Sequence, residues 1–230
     1  MSKKLIAPRA AIIVAAGQST RLKSRIPKPF LKLDSKRTLL DFSLASFKKV
    51  KGLACVVIVT QPDYLEKAIH HLYRHHLAGI ACTGGQERED SVLRGLLVVP
   101  EGIKTVLVHD AARPFVRPRL IQSVLESALR LGAVVPALPV KDTLKVVQQK
   151  RVVKTLDRDS IVAIQTPQGF RIDWLKKAFL TVDRRRSKLT DDAAVAEAAG
   201  FKVSIVEGDP LNFKVTTPDD FEQARQFIKK

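Results

Sequence analysis

The sequence predicts an α/β fold: a mostly parallel sheet with helices on both faces and a protruding β-arm. Three observations carry this. Apolar runs rich in β-branched residues recur along the chain, the pattern of strands buried on both faces. Segments of helical period separate them, and such alternation favours parallel pairing through crossover helices. Between Pro139 and Phe170 the alternation stops, and two period-2 stretches replace it, which reads as a hairpin leaving the sheet.

The first strand is expected in RAAIIVAAG (9–17), and the helix after it in TLLDFSLASFKKV (38–50). ACVVIVT (54–60), YLEKAIHHLYRHH (64–76), GIACTGG (79–85) and DSVLRGLLVV (90–99) continue the alternation. TVLVHDAA (105–112) is followed by PRLIQSVLESALRLG (118–132), a helix that Gly132 stops. GAVVPALPV (132–140) leads into the arm, where TLKVV (143–147) and RVVKTL (151–156) flank the polar QQK. Helical pattern returns in DWLKKAFLTV (173–182) and in TDDAAVAEAAG (190–200). Thr190 or Asp191 can cap the second of these, and Gly200 closes it. KVSIVEG (202–208) reads as a further strand and PDDFEQARQFIKK (218–230) as a last helix, with Pro218 at its start and lysines at its end. The 230 residues are read as one domain, 1–230, with the arm inserted at about 139–170.

Composition excludes several classes. With 45% hydrophobic and 27% charged residues, and with 11 Gly and 12 Pro, the chain is neither disordered nor fibrous. No apolar run approaches the roughly 20 residues of a membrane helix, and Met1 to Arg9 lacks the apolar stretch of a secretory signal. A cytoplasmic protein without a membrane partner is expected. Cys55 and Cys82 lie in apolar strand-like runs without C-x-x-C spacing, so both are expected as buried reduced thiols. The net charge of +17 calls for an anionic partner. It concentrates in residues 1–50, with 12 Lys or Arg against 2 Asp, and in 141–188, with 13 against 5. Aromatics make up only 6% and do not interleave with the basic runs. Small phosphorylated ligands therefore compete well with nucleic acid as the partner.

VAAGQSTRLKSRIPKP (14–29) follows the first strand directly, where an α/β sheet gathers its ligands. Ala15, Ala16 and Gly17 let the backbone approach a ligand, and successive amides there can face phosphate oxygens. The loop lacks the Walker A pattern and the companion glycines of a dinucleotide fingerprint. Arg21, Lys23, Arg25 and Lys28 read either as phosphate contacts or as solvated charge. Asp110 ends another apolar strand, where it either holds Mg2+ through a single carboxylate or pairs with Arg113. Gly84, Gly85 and Ser91 read as a turn with a capped helix start, or as a nucleoside pocket in company with the other loops. His71 and His75 have metal-like spacing but lack the Glu of H-E-x-x-H, so a solvated helix face is expected there, and exposed charge is expected for Arg184 to Arg186. No Cys-His or Ser-His-Asp set stands out for covalent catalysis.

Taken together and in order, AAGQSTRLKSRIPKPFL, GGQEREDSVLRGL, VHDAARPFV, VKDT, TLDR, TPQGF, LTDDA and NFKVTTPDD resemble the bacterial and plastid cytidylyltransferases of the nonmevalonate isoprenoid pathway, from about residue 9 to 228. The resemblance implies transfer of a cytidylyl group from CTP to methylerythritol phosphate with Mg2+, on a Rossmann-like fold that dimerises through its β-arm. It implies that Ala15, Ala16 and Gly17 line the CTP site and that Arg21 and Lys28 reach the triphosphate. Gly85, Ser91 and Ala111 would hold the cytosine and ribose, and Asp110 the metal. Arg113 would lie on the substrate side, with Thr143, Arg158, Thr190 and Asp191 gripping methylerythritol phosphate and Lys214 acting on the reacting phosphate. Val14, Ser19 and Pro29 depart from the Pro, Gly and Gln of many members. Ribitol 5-phosphate is the alternative acceptor, since the related ribitol phosphate enzymes share the loop and the DAARP region. A non-catalytic basic nucleic-acid-binding protein is the alternative from another class, and the joint presence of Arg21, Lys28, Asp110 and Lys214 argues against it.

Overall fold

The computed structural model describes residues 7–17, 24, 26–183 and 189–229. Its main sheet contains β1 (Arg9–Val14), β2 (Leu53–Thr60), β3 (Gly79–Thr83), β4 (Thr105–Asp110), β5 (Ala133–Pro139), β8 (Val162–Ile164), β9 (Gln168–Arg171) and β10 (Ser204–Glu207). The order across it is β10-β5-β9-β4-β1-β2-β3, with β8 paired to β5. β1 runs parallel to both β2 and β4, β2 to β3, and β5 to β10. β9 lies antiparallel between β4 and β5. The mostly parallel sheet expected from the alternation is present.

Helices α1 (Leu39–Phe47), α2 (Leu65–Arg74), α3 (Arg88–Leu97), α4 (Pro118–Leu131), α5 (Ile172–Thr181), α6 (Asp192–Ala198) and α7 (Pro218–Phe227) complete the fold. Alternate residues of β1 enter different cores. Ala11 and Ile13 pack with Leu44 and Phe47 of α1, Leu72 of α2 and Ile121 of α4. Ala10 and Ile12 pack with Val92 and Leu96 of α3, Leu175 of α5 and Val195 of α6. A strand buried on both faces needs an unbroken apolar run, and AAIIV supplies one. A third cluster joins Leu33, Leu39 and Val215 to Ala224 of α7.

The arm is narrower than the sequence suggests. Its hairpin, β6 (Lys145–Gln148) and β7 (Arg151–Thr155), forms a separate two-stranded sheet with every strand residue exposed. Gln149 and Lys150 make its turn with positive φ of 46° and 64°. Residues 162–171, expected in the arm, rejoin the main sheet as β8 and β9. Their runs of three and four residues are too short to show a period, and the pairing is set by β4 and β5 on either side. Among the described residues no helix is long and apolar enough to cross a membrane.

Gly132 closes α4 with φ of +92°, and a Cβ there would collide with the Trp174 ring. Gly132→Ala combines left-handed strain with that collision. We expect it to lower unfolding free energy by more than about 1 kcal/mol, measured by denaturant titration.

Candidate active site

Parallel register places the loops after β1, β2, β3 and β4 on one rim. Val14 lies opposite both Val59 and Asp110. The bonding continues past the strands: Ala15 N donates to Val59 O at 2.7 Å, Gly84 N to Thr60 O at 2.8 Å, and Ala111 N to Val14 O at 3.1 Å. A cavity of about 910 Å³ opens there, lined by Ala15, Ala16, Gly17, Gln61, Gly85 and Asp110 together with Lys28, Arg88, Ser91, Ala112 and Lys214.

The Gly84–Gly85 turn is held from beneath. Gly85 N donates to Ser91 Oγ at 3.0 Å, and that hydroxyl donates to Glu87 O at 3.1 Å. A Cβ on Gly85 would collide with Asp90, so only glycine lets the turn lie this close to α3. Ser91 therefore braces the loop from inside the helix, whereas the cap is Glu87, which forms a capping box with Asp90.

Asp110 lies on the cavity floor with 11% of its side chain exposed. Lys214 Nζ is 2.6 Å from Oδ2, and the Arg88 guanidinium reaches Oδ1 at 3.3 Å. Burial pushes the Asp110 carboxyl up, but Arg88 and Lys214 outweigh it and hold the group well below the usual carboxylate range. Arg88 also meets Asp192 Oδ2 at 2.8 Å. Lys28 donates its Nζ to Val215 O at 2.8 Å, which sets it beside the segment that carries Lys214.

Arg113 does not pair with Asp110 through its side chain; its guanidinium donates to Asn212 O at 2.8 Å. The backbone link, Arg113 N to Asp110 O at 2.9 Å, makes the DAAR turn instead. His109, fully buried, is 3.2 Å from Arg113 O through Nε2 and 3.2 Å from Thr166 Oγ1 through Nδ1. Thr166 Oγ1 also accepts from Asp110 N at 3.1 Å. The strand end bearing Asp110 is thus fixed on both sides.

Other sequence-derived positions fall elsewhere. Arg21 lies outside the described residues, as do Ser19, Lys23, Arg25 and Arg184 to Arg186. Ala111 is fully buried, and its neighbour Ala112 lines the cavity in its place. Thr143 and Arg158 sit exposed beside the arm hairpin, away from the cavity lining, with Arg158 Nη1 donating to Lys141 O at 3.0 Å. Thr190 is exposed. Asp191 caps α6 by accepting from Ala194 N at 2.9 Å, and it also receives Gln168 Nε2 at 2.7 Å. His71 and His75 do not form a solvated face, because both rings turn inward onto Asp41 at 2.8 Å. Sequence reasoning missed Arg88, Gln61 and Asp192. Arg88 stands inside GGQEREDSVLRGL, three residues past Gly85, but one more charge at a helix start carries no signal of its own.

A small-residue loop at the end of a parallel strand, facing a lysine from the same segment and a lysine–carboxylate pair from two distant ones, is the site of an α/β nucleotidyltransferase. Within that class, the chain belongs to the 2-C-methyl-D-erythritol 4-phosphate cytidylyltransferase family, whose profile matches residues 9–230. It is 40% identical over 223 residues to the enzyme of that name from Endomicrobium trichonymphae, covering 96% of this chain and 98% of the relative. It is 39% identical over 222 residues to the bifunctional IspD/IspF enzyme of Desulfotalea psychrophila, of which it spans 57%. Among solved structures, the 2-C-methyl-D-erythritol 4-phosphate cytidylyltransferase of Thermus thermophilus superposes with a TM-score of 0.79 at 34% identity, over 95% of this chain and 98% of that one.

His109 yields a pH prediction. Burial, the largest influence, lowers its pKa from 6.5 to about 4, so the folded protein keeps the ring neutral while the unfolded chain protonates it. Stability contributed by the neutral ring is full above pH 6.5 and is lost as pH falls toward 4. Between pH 7 and 4.5 we expect His109→Gln to lose roughly 2–3 kcal/mol less than the parent, read as the difference in denaturant midpoints converted to free energy.

Proposed function

We infer that this chain transfers the cytidylyl group of CTP to 2-C-methyl-D-erythritol 4-phosphate and releases pyrophosphate. Family membership supports the reaction. The observation that carries it in the fold is the meeting of Lys28, Lys214 and Asp110 at one cavity beside the Ala15–Gly17 loop.

In-line attack by an oxygen of the acceptor phosphate on the α-phosphorus of CTP needs little covalent help from the protein. It needs two polyanions held together and the growing charge neutralised. Lys28 and Lys214 supply point charges that approach from opposite ends of the chain, and Arg21 is assigned the same task from the loop. Ala15, Ala16 and Gly17 leave space for the triphosphate, while Gly85, braced by Ser91, forms the nucleoside side of the cavity. Ala111, buried in the same core cluster as Ala15, is assigned to the nucleoside side as well. Arg113, turned toward Asn212, shapes the loop next to the acceptor.

The donor set suits Mg2+. Asp110 is a carboxylate at the cavity floor, with Asp63 and Glu87 also in the lining, and among the described residues no group of three or more ligating side chains could hold a metal ion. Mg2+ takes one or two protein carboxylates and completes its shell with phosphates and water. Asp110 would hold it, and the bound ion would add positive charge against the triphosphate.

We assign Thr143 and Arg158 to the acceptor site of a neighbouring subunit in a homodimer built through the arm. Their exposure and their distance from the cavity lining support a role in trans. Thr190 and Asp191 are assigned to the acceptor side within the chain. A cytoplasmic setting suits Cys55 and Cys82, which are unpaired.

Pyrophosphate release should require CTP, Mg2+ and methylerythritol phosphate. Turnover with ribitol 5-phosphate alone would transfer the assignment to that acceptor, and salt-dependent RNA binding without turnover would replace the enzyme reading altogether. Lys28→Ala is expected to lower kcat by roughly 100- to 1000-fold, the cost of one preorganised transition-state donor. For the shared site, inactive Lys28→Ala and Arg158→Ala chains mixed and allowed to exchange should regain activity. Mixtures no better than either chain alone would place Arg158 outside the site.

A further inference from the structure

Asp41 is a charged side chain in the first turn of α1 with 1% of its surface exposed, and no part of the proposed reaction uses it. Its partners come from two helices. Thr38 donates to Oδ2 through its backbone N at 2.7 Å and its hydroxyl at 2.9 Å. His71 Nδ1 and His75 Nε2, one turn of α2 apart, both lie 2.8 Å from Oδ1. Arg74 stands farther off, at 3.7 Å from Oδ2. Burial pushes the carboxyl up, but the bonds from His71, His75 and Thr38 outweigh it and keep the group ionised. Each imidazole can donate to this carboxylate from the ring nitrogen that faces Oδ1. A buried anion with four donors fixes the helices that bring them, because separating the helices leaves the charge unpaired.

This clasp lies behind the turn that presents Lys28. Lys28, Pro29 and Phe30 form one 3₁₀ turn, closed by Phe30 N to Pro27 O at 2.9 Å and Leu31 N to Lys28 O at 3.0 Å. The Phe30 ring lies 4.6 Å from the Tyr64 ring and 5.8 Å from the His71 ring. Leu39, next to the capping Thr38, donates its N to Leu31 O at 3.0 Å. The turn is thus attached to α1 by its backbone and held against α2 by an aromatic side chain. Just before α2, Gln61, Pro62 and Asp63 line the cavity beside Lys28.

We propose that Asp41, His71 and His75 are positioning residues for Lys28: by pinning α2 to the start of α1 they close His71 and Tyr64 on Phe30 and fix the turn from which Lys28 reaches the cavity. The proposal rests on the role given above to Lys28. A misplaced lysine at the reacting phosphates costs rate, since small displacements of a preorganised charge forfeit much of its effect. Binding of CTP, shared among many contacts, should suffer less.

The test removes both donors with His71→Leu/His75→Leu. The comparison, His71→Asn/His75→Gln, restores them through side-chain amides that stand in for Nδ1 and Nε2. Both pairs are made in the parent and in the Lys28→Ala chain. Pyrophosphate release and hydrogen exchange over residues 28–39 are measured well below melting. The leucine pair should lower kcat by roughly tenfold or more, leave KM for CTP within about threefold, and speed exchange over 28–39. The amide pair should recover kcat to within about threefold of the parent, and neither pair should change kcat further in the Lys28→Ala chain. An undiminished kcat in the leucine pair, or an equal further loss in the Lys28→Ala chain, overturns the proposal. Should the leucine pair fail to fold, His75→Leu alone, at the more exposed of the two rings, should show a smaller loss of the same kind, again silent in the Lys28→Ala chain. A parent without turnover would refute the proposed function, while unchanged exchange over 28–39 would by itself refute the clasp.

Discussion

A carboxylate at the end of a buried strand is tolerated only where cations meet it, and Asp110 is that group in this protein. Taking an ionised carboxylate out of water costs several kcal/mol unless charge and hydrogen bonds return it. Lys214 and Arg88 return it here from segments more than a hundred residues apart in the sequence. Arg88 in turn pairs with Oδ2 of Asp192, which is fully buried at the start of α6. One strand end thus fixes the relative positions of α3, α6 and the segment that leads into α7. The cavity inherits its shape and its positive wall from that balance.

The sheet makes such convergence possible. Both faces of β1 are packed, so the strand does not shift, and its parallel neighbours end level with it. Loops that follow level strands share a rim, which is why residues as separate as Gly17, Gln61, Gly85 and Asp110 face one space. β9 interrupts the parallel run and carries Gln168. That side chain donates to Asp191 and accepts from Ala193 N at 3.0 Å, which ties the start of α6 to the sheet. The same strand that breaks the regular pattern therefore positions Asp191, one of the residues assigned to the acceptor.

Charge is distributed by the same logic. The excess of +17 is uneven along the sequence, and the cations of the described residues divide among three settings. Part of it stands on the exposed hairpin and around it, part lines the cavity, and part is consumed by buried carboxylates. Asp209 is one such carboxylate, 4% exposed, with Arg117 at 3.2 Å and Arg119 at 3.8 Å. A cation paired with a buried carboxylate adds less to the field outside the fold than one without such a partner. Cations at the cavity and on the exposed hairpin face solvent, where they raise the potential for an anionic ligand.

Much of the fold was legible in the sequence because its signals are local. Apolar runs such as AAIIV and ACVVIVT report burial on both faces, helical periods report the covering layers, and Gly132 and Pro218 report where helices stop and start. β8 and β9 were not legible, since three or four residues carry no period and their pairing is imposed by β4 and β5. Within the site, the small loop and Asp110 stood out by their place after apolar strands, and Lys214 only through the family resemblance. Arg88 and the inward turn of His71 and His75 did not, because a charged or imidazole side chain on a helix looks the same whether it meets water or a buried carboxylate. The sequence by itself determined most of the segments that become strands and helices, through periodicities that each of those segments carries alone. Only the tertiary structure decided which charges face one another, because a buried anion selects its partners by distance in space, and distance in space is set by the packing of every layer at once.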